Sequence, residues 1–354
     1  MEAKNKNIKK KIFTAVFFLI VNVVVLLVLI LTEDKSGNIA DGKVVFSLLK
    51  KNWVFAFLAL LMFFVIVAGD VTVFCFLLKK MNKKDPLGLS LTVSVLGRYY
   101  DRITPWSMGG EPFQMGYLIS SGVGAGDGCA ITMSRHIIRF SATAVAVIAI
   151  LAASGVAATV WVMIVAILSV LGGLIVPTFM LICAFKPKIG FAIGRWILRV
   201  GAKIKLVKDY QKAEQKMNEE VDKFLSGIRF LSKNKFMIVL IGFCGLTEMF
   251  AYNSVPYFVL RALDVSAFSY WRVLVLCIYV NYASSFAPTP GGSGLAELSF
   301  YAVFAAFIGG GQLFWAVLFW RVAVFYVPVF IGIIWQSVLS VRTLVTTLKE
   351  KRSS

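Results

Sequence analysis

Hydrophobic residues in this chain run in long blocks and do not recur at the period of a half-buried helix or strand. Six blocks, at 12–31, 53–78, 129–153, 157–185, 236–260 and 313–341, carry few or no charges. Each is about 20 residues or longer, the length at which an α-helix rising about 1.5 Å per residue crosses a hydrocarbon core of about 30 Å. They predict six transmembrane helices. Two further stretches, 88–128 and 269–311, are semi-apolar and broken by Pro and Gly clusters. These do not read as simple spans.

Composition agrees with the pattern. The 354 residues are 59% apolar and 14% aromatic, above the roughly 45–50% apolar content of soluble domains. An all-α polytopic membrane protein follows, and soluble enzymes, nucleic-acid binders and disulfide-built secreted domains are disfavoured. The five cysteines lie inside apolar segments without CxxC or CxxH spacing, so they read as packing residues. A basic leader precedes 12–31, but LTEDKSG follows with no small-x-small cleavage site. That block is expected to stay as the first helix.

Charge sets the sides. Of 37 Lys and Arg, 26 fall in residues 1–11, the KKMNKK loop, the 186–235 connector and the 342–354 tail. Excess basic charge marks cytoplasmic segments, so the net +19 is topological and needs no nucleic-acid partner. With the loops before 88 and after 185 both inside, 129–153 and 157–185 already make one round trip. Segment 88–128 must then enter and leave from the cytoplasm. By the same argument 269–311 enters and leaves from outside. The expected layout is a first helix at 12–31, a first half at 53–185 and a second half at 236–341. Each half carries a re-entrant hairpin, in opposite senses, and both termini are cytoplasmic in a multi-pass plasma-membrane protein.

The two hairpins also resemble each other. GRYYDRITPWSMGGEP at 97–112 and NYASSFAPTPGGSGLAE at 281–297 each place aromatic and polar residues before Pro, a Gly pair and a Glu. Inverted repeats with Pro/Gly-broken elements build the midplane sites of many transporters. Irregular backbone at that depth is tolerated where it lines a cavity or is buried in protein, so a polar cavity between two halves is expected.

At these residues the chain resembles the lysylphosphatidylglycerol synthase transmembrane family, the flippase-like module at the front of multiple peptide resistance factor. TPWSMGGEPFQ (104–114) is similar to the family's P-x-x-x-G-G/A-E pattern and PTPGGSGLAE (288–297) to its PxPGGxGxxE. The resemblance covers nearly the whole chain. It implies movement of an aminoacylated phosphatidylglycerol between leaflets, with a separate soluble domain charging the lipid from aminoacyl-tRNA. That synthase domain is expected to be absent here, so a transporter is favoured over an enzyme. Where many members carry Arg shortly after the first Glu, this chain has Gln114.

Ionisable groups in a bilayer are costly and start as functional candidates. Glu111 and Glu297 end the Gly-rich turns and Glu248 interrupts an apolar run. Each could receive a cationic headgroup or a coupling proton, or could cap a broken helix or pair with Arg. Arg98 and Arg102, and Arg135 and Arg139, are four apart and would share helix faces. Arg102 and Arg139 are the candidate phosphate ligands. Arg98 could pair locally with Asp101, and Arg135 could snorkel to the cytoplasmic surface. Arg321 has no local acid and is expected to face Glu248 or Glu297, while Asp70 suits packing or an Arg partner. Pro290, Gly291 and Gly292 would let backbone approach a headgroup. His136 beside Arg135 is a poor cationic anchor, and one His builds no metal site.

Two protease-like patterns are weak. Tyr100-Asp101 with Gly124 to Asp127 resembles an aspartyl intramembrane pair, and GGSG at 291–294 resembles a rhomboid turn, but no His follows to act as base. In the connector, Ile193, Trp196, Ile197, Val200, Ile204 and Val207 form an apolar stripe suited to an anionic inner leaflet. The expected function is transbilayer movement of an anionic or aminoacylated phospholipid, or of a polyprenyl-phosphate-linked lipid. No cofactor or metal is expected. The alternatives are phosphatidylglycerol lysyltransferase activity with a separate catalytic chain, an ion-coupled small-anion permease, and a lipid-binding scaffold. A homodimer or a partner synthase would fit the first of these settings.

Overall fold

The computed structural model describes residues 40–80, 85–156, 158–203 and 210–353, and these are mostly helical, with no strand among them. The elements are α1 (Gly42–Lys51), α2 (Trp53–Lys80), α3 (Pro86–Ile103), α4 (Gly110–Ser120), α5 (Ala125–Ser154), α6 (Val160–Phe185) and α7 (Pro187–Lys203). They continue with α8 (Tyr210–Lys233), α9 (Lys235–Ala262), α10 (Tyr270–Ser284), α11 (Leu295–Phe304), α12 (Gly310–Arg321), a π-helical turn (Val322–Tyr326) and α13 (Val327–Ser353).

Four of the six expected spans are helices long and apolar enough to cross a bilayer: Trp53–Lys80, Ala125–Ser154, Lys235–Ala262 and Gly311–Arg342. Block 157–185 forms the continuous helix α6, of which Val160–Ile175 is a shorter apolar stretch. The first helix, 12–31, lies outside the described residues. Local chemistry explains the boundaries. Asp85 caps α3 by accepting from the Gly88 amide at 2.9 Å with Pro86 in the first turn, and Gly155 ends α5 at φ 61°, a left-handed position that Gly adopts without penalty.

Large apolar side chains point away from the bundle on α2, α5, α6, α9 and α13, among them Phe64, Val145, Ile175, Phe243 and Phe330. An apolar exterior with charge enclosed inside is the arrangement a bilayer selects. α9 packs along α2, α3 lies between α2 and α13, and α10 packs on α6 and α9.

Each Pro/Gly-broken stretch is a pair of helices joined by irregular backbone. α3 and α4 flank residues 104–109, and α10 and α11 flank residues 285–294. At about 1.5 Å per residue the second arms, α4 and α11, reach about 15 Å, half of a hydrocarbon core. The two turns meet where Pro105 and Pro290 form an antiparallel β-bridge.

The connector is more integrated than its apolar stripe predicts. α8 packs on α5 and α7, with Leu225 and Ile228 buried. Glu220 accepts from the Gly126 amide at 2.5 Å, at the start of α5, where a carboxylate is favoured by the free amides and the helix dipole. Of the predicted stripe, Trp196 is exposed. Ile204 and Val207 lie outside the described residues, as do the side chains of Ile193, Ile197 and Val200.

Candidate functional site

Between the two turns lies a cavity of about 730 Å³. Helical spacing aims the lining at it. α3 contributes Arg98, Asp101 and Arg102; α5 contributes Met133, His136, Arg139 and Thr143; α9 contributes Gly245, Glu248, Met249, Tyr252 and Val255. These positions recur every three or four residues, so each helix turns one polar stripe inward. Gly245 makes room for this: a Cβ there would run into the side chain of Arg139.

The charged residues form a continuous lattice. Asp70 accepts from Arg98 Nη2 through Oδ2 and from Arg135 Nη1 through Oδ1, each at 2.5 Å. Arg98 Nη1 donates to Glu248 Oε1 at 2.5 Å. Arg139 bridges Glu248 Oε2 at 3.0 Å and Glu111 Oε1 at 3.1 Å. His136 Nδ1 lies 2.9 Å from the same Glu111 oxygen. Three guanidinium groups and three carboxylates thus neutralise one another across α2, α3, α4, α5 and α9. A buried charge that lost its partner would cost several kcal/mol.

Several sequence expectations take definite form here. Arg135 is 3% exposed and bonded to Asp70, so it does not snorkel: an acid one helix away offers what the surface would. Arg98 pairs with Asp70 and Glu248 and makes no ion pair with Asp101. Asp70 is an Arg partner. Gln114, at the position where Arg is common in the resembled family, accepts from Arg135 Nη2 at 2.7 Å. Asp127 sits in the first turn of α5 and is not among the cavity-lining residues that include Asp101.

Arg102, Glu111, Arg139, Glu248, Gly291 and Gly292 line the cavity; Pro290, Glu297 and Arg321 do not. Glu297 and Arg321 are each 2% exposed and lie behind the second turn. Arg321 Nε meets Glu297 Oε1 at 2.7 Å, its Nη1 donates to the Gly291 carbonyl at 3.1 Å and its Nη2 to Ser293 Oγ at 2.6 Å. Glu297 Oε2 accepts from the Gly294 amide at 2.7 Å, capping the first turn of α11 from its third residue. Ser293 Oγ also donates to the Pro290 carbonyl at 2.9 Å, so its hydroxyl is spent on the turn.

Sequence reasoning underweighted Asp101, Tyr252, Asn281 and Tyr282, all in the cavity wall. Tyr252 could have been found from Glu248, because four residues on in a helix returns to the same face. The π-helical turn after Arg321 left no such signal. It brings Ala323 and Val324 to the wall and sets Phe325 against Gly291, where any Cβ would collide with the ring.

Residues 15–332 match the family model described as the lysylphosphatidylglycerol synthase TM region. A UPF0104 membrane protein from Archaeoglobus fulgidus is 26% identical over 250 residues, covering 69% of this chain and 74% of that relative. No solved structure matches the chain.

Proposed function

The chain belongs to the lysylphosphatidylglycerol synthase TM region family, and from that premise we propose that it moves the headgroup of a phosphate-bearing lipid across the bilayer. The observation that carries this reading is the charged, partly open cavity of about 730 Å³ lined by helices with apolar outer faces. Such a cavity offers a headgroup water and charge at a depth where lipid offers neither. The acyl chains stay in the surrounding hydrocarbon.

In this reading the helix pairs α3–α4 and α10–α11 are the two re-entrant hairpins of an inverted repeat. They open from opposite sides of a six-span protein whose termini are cytoplasmic. Arg102 and Arg139 attract the phosphate, while Glu111 and Glu248 tune the charge around them and receive an amine or a proton. Pro290, Gly291 and Gly292 bring backbone to the cavity, and Glu297 with Arg321 keeps that backbone in place. Phosphatidylglycerol, an aminoacylated phospholipid and a polyprenyl-phosphate-linked lipid all carry the required phosphate.

The test is a dithionite-quenching assay on proteoliposomes holding fluorescent phosphatidylglycerol or its lysyl derivative. Wild-type protein is expected to expose the inner-leaflet label, and Arg139→Gln to slow that exposure at least tenfold. Full protection of the label by folded wild-type protein would overturn the proposal for those lipids.

A further inference from the structure

The charged side chains in the cavity wall, with Asp70 and Arg135 behind it, divide into two sets. Asp70, Arg98, Glu111, Arg135, Arg139 and Glu248 each make at least one ion pair of 3.1 Å or shorter. Asp101 and Arg102 stand outside that lattice, and neither makes an ion pair among the described residues. The Arg102 guanidinium lies over the Tyr252 ring, 5.2 Å from its centre, and its buried Nε has no hydrogen-bond partner. One Asp101 oxygen accepts from the Gly110 amide at 2.7 Å. The Glu111 carboxylate and the guanidinium groups of Arg98, Arg102 and Arg139 all act on Asp101 without forming an ion pair with it. Both residues line the same cavity.

A guanidinium resting over an aromatic ring with an unbonded Nε has donors left for a phosphodiester oxygen pair. A carboxylate with coordination to spare beside it suits an ammonium group. Resting on the reading that a lipid headgroup enters this cavity, we infer that Asp101 and Arg102 are its grip and that the preferred headgroup is a zwitterion with one phosphate and one primary ammonium. The lattice is already neutral, so the grip fixes the balance. A phosphate without an amine leaves Asp101 uncompensated and sets a second anion beside it. A headgroup with two ammonium groups brings a surplus cation toward Arg98 and Arg139. Both mismatches cost a charge-assisted contact.

The experiment uses the full chain in phosphatidylcholine liposomes with acyl-chain-labelled phosphatidylethanolamine, phosphatidylglycerol or lysyl-phosphatidylglycerol, each followed by dithionite quenching. Phosphatidylethanolamine is expected to move about tenfold faster than the other two, the size of one charged hydrogen bond. Asp101→Asn, which keeps an oxygen to accept from Gly110, should lower that rate to the phosphatidylglycerol level. Arg102→Gln should slow all three. Movement of the three lipids at equal rates, or a preference untouched by Asp101→Asn, overturns the inference and leaves lipid movement standing.

A second arm measures the melting temperature of detergent-solubilised protein with short-chain phosphatidylethanolamine or phosphatidylglycerol. Selective stabilisation by the zwitterion, lost in Asp101→Asn, supports the grip even if no lipid crosses, in which case the transport reading fails and this one holds. Equal stabilisation, or none, overturns the grip. Should Asp101→Asn not fold, Arg102→Gln carries the test, because it breaks no hydrogen bond or ion pair within the described residues. Stabilisation by either lipid that survives Arg102→Gln unchanged also overturns it.

Discussion

The two Pro/Gly turns share a sequence pattern and differ in almost everything physical. In the first, residues 104–109, the flanking charges Asp101, Arg102 and Glu111 face the cavity, and two non-glycine residues, Trp106 and Ser107, sit at φ 53° and 54°. In the second, glycines take the left-handed positions, Gly291 at 58°, Gly292 at 68° and Gly294 at 92°, and the charges are buried behind the turn in the Arg321–Glu297 pair. Left-handed backbone costs a side-chain-bearing residue about 1 kcal/mol or more and costs Gly almost nothing. The first turn therefore holds strain beside exposed chemistry, and the second is relaxed and cross-braced. One pattern has been put to two uses: a working surface and a frame.

The sharpest way to break that contrast is to remove one buried partner from each side. Glu297→Ala leaves Arg321 buried without its carboxylate and frees the Gly294 amide, so a loss of about 3–5 kcal/mol in stability is expected. Glu111→Gln leaves Arg139 still bonded to Glu248 and keeps an acceptor for His136, so its loss should be smaller, about 1–2 kcal/mol. Movement should respond in the opposite sense. Glu111→Gln is expected to slow lipid transfer more than its stability loss explains, whereas Glu297→Gln should act only as far as it loosens the turn. Denaturant unfolding in detergent, run beside the liposome assay, measures both. Equal stability losses would show that the two turns are braced alike.

Part of this contrast was legible in the sequence. Charged residues inside apolar blocks announced themselves, and Arg321 needed an acid, which narrowed its partner to Glu248 or Glu297. Spacing of four also placed Arg135 and Arg139 on one helix. Pairings between helices were less legible, because they depend on which faces meet. Asp70 could be read only as a packing residue or some arginine's partner, whereas Arg98 and Arg135 both bond it. Arg135 looked free to reach the surface because its acid lies 65 positions away in the chain. The left-handed backbone of Trp106 and Ser107 was hidden altogether, since neither residue type favours it. A strained site of this kind is where local sequence preference and structure are expected to disagree.

Backbone strain offers the next and smaller test. Ser107→Gly should relieve the first turn and stabilise the protein by about 1 kcal/mol, less the entropy of the added glycine in the unfolded chain. Gly292→Ala should do the reverse, by about 1–2 kcal/mol or more, because its Cβ would press on the Ser284 carbonyl as well as hold a left-handed φ. Thermal unfolding of the two variants measures the difference in sign. If Ser107→Gly stabilises but also slows lipid movement, the strain belongs to the working surface.

The weakest expected effect lies in the connector, where α8 clamps the start of α5. The Lys223 ammonium beside Glu220 holds its carboxyl below the usual range, and the Gly126 amide adds to the shift. A carboxylate depressed on folding contributes stability that is fully present above its unfolded pKa, near 4.3, and is lost as pH falls through the lower folded value. Docking of α8 on the first turn of α5 should therefore hold at neutral pH and loosen only in acid. Hydrogen exchange at Gly126, corrected for its intrinsic pH dependence, should speed up below about pH 4 in wild-type protein. In Glu220→Gln it should be faster at neutral pH and lack that acid-dependent rise. The helix that brings His136 and Arg139 to the cavity wall would then be steadied from the connector side by a group that titrates, while the second turn is steadied from within by the buried Arg321–Glu297 pair. Neutral-pH exchange at Gly126 left unchanged by Glu220→Gln would show that the clamp rests on the apolar contacts of the buried Leu225 and Ile228, and an acid-dependent rise that persisted in that variant would assign the titration to another group.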